Sequence, residues 1–110
     1  MPIPDERFVL ILSTAGSDAQ AESIARALID RNLAACVNIV GQTCSVYRWE
    51  NKVVREEEKL LVIKSAERLF SEVRSTIREL HSYDVPEILA LPIQDGDGDY
   101  LKWLGESLKS

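Results

Sequence analysis

The sequence holds one histidine, two cysteines and one methionine in 110 residues. That scarcity rules out several classes of chemistry. Copper and related transition metals are held by Cys, His and Met, and no C-x-x-C pair of the metallochaperone kind is present. Two cysteines, Cys36 and Cys44, are too few for a disulfide scaffold. A single histidine with no evident Ser or Cys partner leaves nothing to build a catalytic triad from, so no catalysis is expected. Long apolar runs are also lacking. Phe8-Val9-Leu10-Ile11-Leu12 falls far short of the roughly 20 residues that span a bilayer. The opening Met1-Pro2-Ile3-Pro4-Asp5-Glu6 has the wrong charge for a signal peptide. A soluble, cytoplasmic protein with no membrane partner is expected. Basic clusters are missing too. With a net charge of −5, the chain has no Lys/Arg patch to neutralise a phosphate backbone, and nucleic acid is not an expected partner.

What is present is enough for a small core. Hydrophobic residues make up 45% of the chain and charged residues 28%, with no repeat, linker or low-complexity tract, so residues 1–110 read as one domain. A domain of this size hides only about two-thirds of its unfolded surface, and association would add to its stability.

Phe8–Thr14 reads as a strand buried on both faces. Ser17 opens a helix and forms a reciprocal capping box with Gln20. Ile24, Ala25 and Leu28 are its inward face, and Asn32 supplies the left-handed stop. A long strand-like stretch follows, with Ala35, Val37 and Ile39 on one face. Gly41-Gln42 marks a bulge, and Ser45, Tyr47 and Trp49 share a face beyond it. Glu50-Asn51-Lys52 reverses the chain, and Val53–Lys64 returns as a second long strand. Both arms exceed the usual strand length of about 5–6 residues, so their distal halves should overhang a small sheet. Ser65 is placed to cap a second helix carrying the stripe Leu69, Val73, Ile77 and Leu80. Glu87–Ile93 forms a fourth strand, whose end Pro92 puts at an edge or outside the sheet. After the Asp95–Asp99 loop, Tyr100, Leu101, Leu104 and Leu108 form a short helix capped by Asp. The order β-α-β-β-α-β plus a C-terminal helix is an α+β, ferredoxin-like arrangement. RNA-binding domains of this order carry stacking aromatics in the third strand; Leu60–Ile63 is aliphatic.

The candidate functional residues are few. Cys36 and His81 are the metal candidates, with Asp84 and Glu87 near the histidine; Met1 and Cys44 complete the soft-ligand set. Cys36 and Cys44 stand roughly 26 Å apart on an unbroken strand, so they can share an ion only across subunits. The plainer roles are a small buried hydrophobe for Cys36 and a hydrogen-bonded loop residue for His81. Tyr47 and Trp49 either line a small-molecule cleft, with Lys64 and Glu87 as polar anchors, or fill a subunit interface. Glu56-Glu57-Glu58 reads as a solvated edge or bulge, with an intersubunit ion pair as the alternative. Asp95, Asp97, Asp99 and Glu106 match calcium-loop spacing, but Tyr100 stands where that loop needs Gly, so a turn and a helix cap account for them.

Four stretches resemble the CutA divalent-cation tolerance family, in family order. They are Ile24-Ala25-Arg26 with Leu33-Ala34-Ala35-Cys36-Val37-Asn38-Ile39-Val40; Ser45-Val46-Tyr47-Arg48-Trp49-Glu50-Asn51-Lys52; Leu61-Val62-Ile63-Lys64; and His81-Ser82-Tyr83-Asp84-Val85-Pro86-Glu87-Ile88 with Ala90-Leu91-Pro92-Ile93 and Asp99-Tyr100-Leu101-Lys102-Trp103. The resemblance implies a ferredoxin-like fold, a tight homotrimer, and a role in tolerance to divalent metals, chiefly Cu(II), with no cofactor required. The architecture also resembles the trimeric PII signalling proteins, which makes a small-molecule sensor, or an enzyme with an intersubunit cleft, the alternative. Departures from the family pattern are Gly41-Gln42 for Pro-Gly, Cys44 for Thr, Ser82 for Pro and Asp84 for Glu. Ser13 stands where some members carry a proposed copper-ligand cysteine, and Leu80 where some carry the first of two histidines.

Overall fold

The computed structural model describes residues 5–110. The elements are β1 (Phe8–Ala15), α1 (Asp18–Asp30), β2 (Cys36–Trp49), β3 (Lys52–Ala66), α2 (Phe70–Leu80), β4 (Ile88–Pro92) and α3 (Gly98–Glu106), with a 3₁₀ turn at Glu67–Leu69 before α2. The four strands form one antiparallel sheet in the order β2-β3-β1-β4. This is the βαββαβ arrangement that the period changes along the chain predict.

Alternation sorts the sheet into two faces. Ile11 pairs with Ile63 and Ala90, and Ile63 with Val37. Ile11, Leu61 and Ile63 are fully buried in one core with Ile24 and Leu28 of α1 and Val73 and Ile77 of α2. The opposite face carries Leu10, Leu12, Leu60 and Val62, all only half-buried, with Leu89 and Leu91 exposed beside them. The expectation that β1 is buried on both faces therefore needs correcting. The two crossover helices cover one side, and α3 reaches only the end of the sheet, where Gly105 stands against Phe8.

The turns follow local rules. Asn32 adopts φ 56°, with Leu33 N donating to Leu28 O and Asn32 N to Ile29 O, the paired bonds of a Schellman ending. Glu50 and Asn51 both have positive φ, 49° and 66°, as a two-residue type I′ hairpin requires. Pro92 ends edge strand β4, and Asp97 caps α3 by accepting from Tyr100 N at 3.1 Å. Ser65 does not cap α2. It lies inside β3, fully buried, and its hydroxyl donates to Leu33 O at 2.6 Å, because the strand runs on to Ala66 before the chain turns. The capping box is half formed: Ser17 Oγ accepts from Gln20 N at 3.2 Å, while the Gln20 side chain is used elsewhere.

The bulge lies where Gly41-Gln42 predicts it, between the pairs Val40↔Leu60 and Thr43↔Glu58. The left-handed residue there is Gln42, φ 58°. Beyond it the hairpin leaves the sheet. β1 pairs with β3 only from Ala66 to Lys59, so Lys52–Glu58 pair with β2 alone, an overhang of about 23 Å. The molecule measures 48 × 25 × 22 Å. Its radius of gyration of 14.7 Å exceeds the about 13 Å expected of a compact chain this long.

Candidate functional site

Where the arm leaves the sheet it walls off a cleft of about 580 Å³. Ser45, Tyr47 and Trp49 of β2 and Glu56 and Glu58 of β3 form one wall, Thr14 the floor, and Tyr83, Asp84, Val85 and Glu87 the other side. The strand residues are there by register. Thr43↔Glu58, Ser45↔Glu56 and Tyr47↔Val54 pair directly, and directly paired residues share a face.

The far wall is the connection between α2 and β4, and it is held by a side chain of α1 and a backbone carbonyl of β1. Gln20 Nε2 donates to Leu80 O at 2.8 Å, and Gln20 Oε1 accepts from Ser82 N at 2.9 Å. One amide thus satisfies a carbonyl at the end of α2 and the first free N–H after it. His81 Nε2 lies 2.6 Å from Thr14 O, and its Nδ1 accepts from Tyr83 N at 3.0 Å. A backbone N–H can only donate and a carbonyl can only accept, so these contacts fix the neutral Nε2–H tautomer. The Tyr83 hydroxyl then donates to Glu58 Oε2 at 3.0 Å. A Cβ at Gly16 would stand 3.0 Å from that hydroxyl, which is why a glycine follows β1.

Glu58 is only 6% exposed, which corrects the reading of Glu56–Glu58 as a solvated edge. Alternation sends Glu58 and Glu56 into the cleft and Glu57 to the opposite, exposed side. Partial burial first, then the bond to Glu58, push the Tyr83 phenol up to about 12. Desolvation and then the Glu56 carboxylate raise Tyr47 as well. An unfolded tyrosine ionises near 10.0, so the folded state holds the Tyr83 proton more tightly than the unfolded state does. The resulting stability is present in full below pH 10 and is lost as pH rises toward about 12. Wild type should therefore lose stability more steeply across that interval than Tyr83→Phe, and absorbance at 295 nm should show the last-titrating phenol missing from the variant. Equal slopes would mean that Tyr83 is not held by Glu58.

Of the residues singled out from sequence, Tyr47, Trp49, Asp84 and Glu87 meet in this cleft. His81 stands behind it, against Thr14 and tilted against the Tyr83 ring with centroids 4.5 Å apart. Lys64 is elsewhere. It pairs across the sheet with Cys36 and Leu10 and lies 5.8 Å from the Tyr100 ring. Cys36 is half-buried, on the edge strand rather than in the core. The row through Lys64 is four residues along β3 from the row through Thr14, about 13 Å, so Cys36 and His81 do not share an ion within one chain. Cys44 is exposed on the far side of the arm, and Met1 lies outside the described residues. Among the described residues no three His, Cys, Asp or Glu side chains are grouped to hold a metal ion, and no helix is long and apolar enough to cross a membrane. Sequence reasoning missed Glu58, Tyr83 and Gln20 as site residues. Only Glu58 left a trace, its place in the alternation with Glu56.

The fold and cleft define a ferredoxin-like α+β protein with an overhanging hairpin. Comparison with known proteins narrows this class to one family. The family model for the CutA1 divalent ion tolerance protein matches residues 9–107. The divalent-cation tolerance protein CutA of Thermus thermophilus is 45% identical over 98 residues, 89% of this chain and 95% of that protein. A solved structure from Thermus thermophilus, described as divalent cation tolerance protein (Cut A1), superposes with TM-score 0.91 at 43% identity, covering 93% of this chain and 99% of that one. A structure from Archaeoglobus fulgidus, described as a periplasmic divalent cation tolerance protein CutA, gives TM-score 0.90 at 37% identity over 93% of this chain and 99% of that one. The chain belongs to the CutA1 divalent ion tolerance family.

Proposed function

We propose that this protein is a binding or regulatory module that works as a homotrimer in tolerance to divalent metal ions, copper foremost, in the cytoplasm. The observation that carries the trimer is the arm. Its paired strands extend beyond any third strand, Trp49 is 53% and Val53 69% exposed, and the open sheet face presents Leu89 and Leu91. The arm and the sheet face are different surfaces of one chain. A heterologous contact between them closes into a ring of three without leaving a free edge. Family membership supports the metal role. Within one protomer the donor set does not fit a copper site, since both His81 ring nitrogens are engaged and Cys36 is remote. A Cu(II) site using these residues would be completed by a second copy, and His81 would have to release a hydrogen bond. Deleting the gene should sensitise cells to copper, and growth that is unchanged across copper, zinc and cobalt would overturn the physiological role.

The cleft favours a second reading, in which a small molecule bound beside Tyr47 and Trp49 is sensed in the manner of PII proteins. Concave, partly apolar sites with a few fixed polar groups are where such ligands bind.

A further inference from the structure

We propose that the cleft beneath the arm binds an organic cation, an ammonium or guanidinium group on an apolar body, with Glu58 as its counter-charge and Tyr47 and Trp49 as its aromatic wall. This rests on the small-molecule reading of the cleft and is independent of the metal reading.

Two separate observations point the same way. The first is the lining. Four carboxylates, Glu56, Glu58, Asp84 and Glu87, face the cleft together with Tyr47, Trp49 and Tyr83, and among the described residues no lysine or arginine lines it. Anionic ligands such as phosphates or carboxylates are repelled from such a site. Aromatic faces attract ammonium and guanidinium groups through the ring quadrupole. The second is Glu58 itself. It is more than nine-tenths buried, yet its one partner among the described residues is the neutral Tyr83 hydroxyl, on Oε2. Buried carboxylates are ordinarily paired with a cation. The neighbouring Lys59 does not serve, because alternation sends it to the other face, where its amine meets Asp18 at 3.4 Å. Lys52 sits across from Trp49 at the tip, outside the lining. The site thus has a largely buried carboxylate, aromatic walls and, among the described residues, no lysine or arginine in its lining.

The test uses n-butylammonium and n-butylguanidinium, with butyrate as a probe of similar size and opposite charge. All are titrated into assembled protein carrying Trp103→Phe, so that emission reports Trp49, with EDTA present to remove metals. Both cations should quench emission saturably at about 1–10 mM, the range reachable by ligands of so few atoms, and butyrate should not. Glu58→Gln, which keeps an acceptor for Tyr83, should weaken cation binding about tenfold or more. If that variant loses its wild-type circular dichroism, Glu87→Gln on the rim decides instead, and it should weaken binding in the same direction. Equal binding of butyrate, equal affinity in the charge-neutralised variant, or no saturable response would overturn the proposal. So would a structure of the assembled protein with a neighbouring subunit's Lys or Arg seated on Glu58. Cu(II) titration of the same protein without EDTA tests the metal reading separately, so either reading can fail without the other.

Discussion

Trp49→Ala should make the protein's assembly fail at concentrations where the wild type is fully associated. Wild type is expected to show an unfolding midpoint that climbs with protein concentration, because anything that binds the native state stabilises it by mass action. Trp49 is 53% exposed near the tip of the arm, where its own chain offers no core to cover it. Large aromatic side chains at interface centres commonly contribute at least about 2 kcal/mol each, a factor of roughly 30 in the association constant of each contact. Sedimentation at micromolar concentration should find wild type as trimer and the variant shifted toward monomer, with the far-ultraviolet spectrum of the sheet and helices retained. The cause is local. Trp49 stands across from Lys52 at the end of the β2–β3 ladder, seven residue pairs beyond the last pair before the bulge and outside the buried core. A wild type that sediments as a stable folded monomer would defeat the expectation.

Ile63→Ala should behave in the opposite manner. Ile63 is fully buried, opposite Ile11 on one side and Val37 on the other. Removing its side chain leaves a cavity between sheet and helices, at a cost of about 2–5 kcal/mol. The denaturant midpoint should fall with the slope unchanged, and by a similar amount at low and high protein concentration. The two substitutions thereby separate the energy of the protomer from the energy of assembly. If raising concentration rescues Ile63→Ala as fully as it rescues Trp49→Ala, the protomer has no core stability independent of assembly.

The parts of this architecture legible in the sequence are those set by neighbours within a few residues. The stripe Leu69, Val73, Ile77 and Leu80 is a helix face because of its spacing. Asn32 announces a left-handed stop by residue type, Glu50-Asn51-Lys52 announces a reversal, and Gly41-Gln42 announces a bulge inside a strand. The overhang is also readable, since two strands of such length cannot both be covered by the short segments available to pair with them. What stays hidden depends on partners far along the chain. Gln20 fits a capping box by every local rule, yet its side chain serves a loop whose residues lie 60 and 62 positions away. Ser65 looks like a helix cap until Leu33, 32 positions away, is found to be its acceptor. Glu58 reads as a solvated charge until the loop after α2 lays Tyr83 against it. Tyr47, Trp49, Asp84 and Glu87 are legible because aromatic and acidic side chains near an expected bend are informative on their own. Lys64 is not, because charge alone does not say at which end of a long strand a cleft will open.

The bulge at Gly41-Gln42 sets the phase of the arm. Side chains along a strand alternate with a period of two, so each residue is either in step with the open face of the sheet or out of step with it. From Cys36 to Val40 the even-numbered residues of β2 are in step. The bulge places two residues opposite the single Lys59, and from Thr43 onward the odd-numbered residues are in step instead. Had the ladder run on unbroken, Cys44 and Arg48 would face the cleft, and Tyr47 and Trp49 would point away from it. The cleft would then carry a thiol across from Glu56 and a guanidinium across from Lys52 in place of two aromatic rings. One uncounted residue in the ladder, 5 positions before Tyr47, thus decides which of two chemically unrelated surfaces the arm shows to its own sheet.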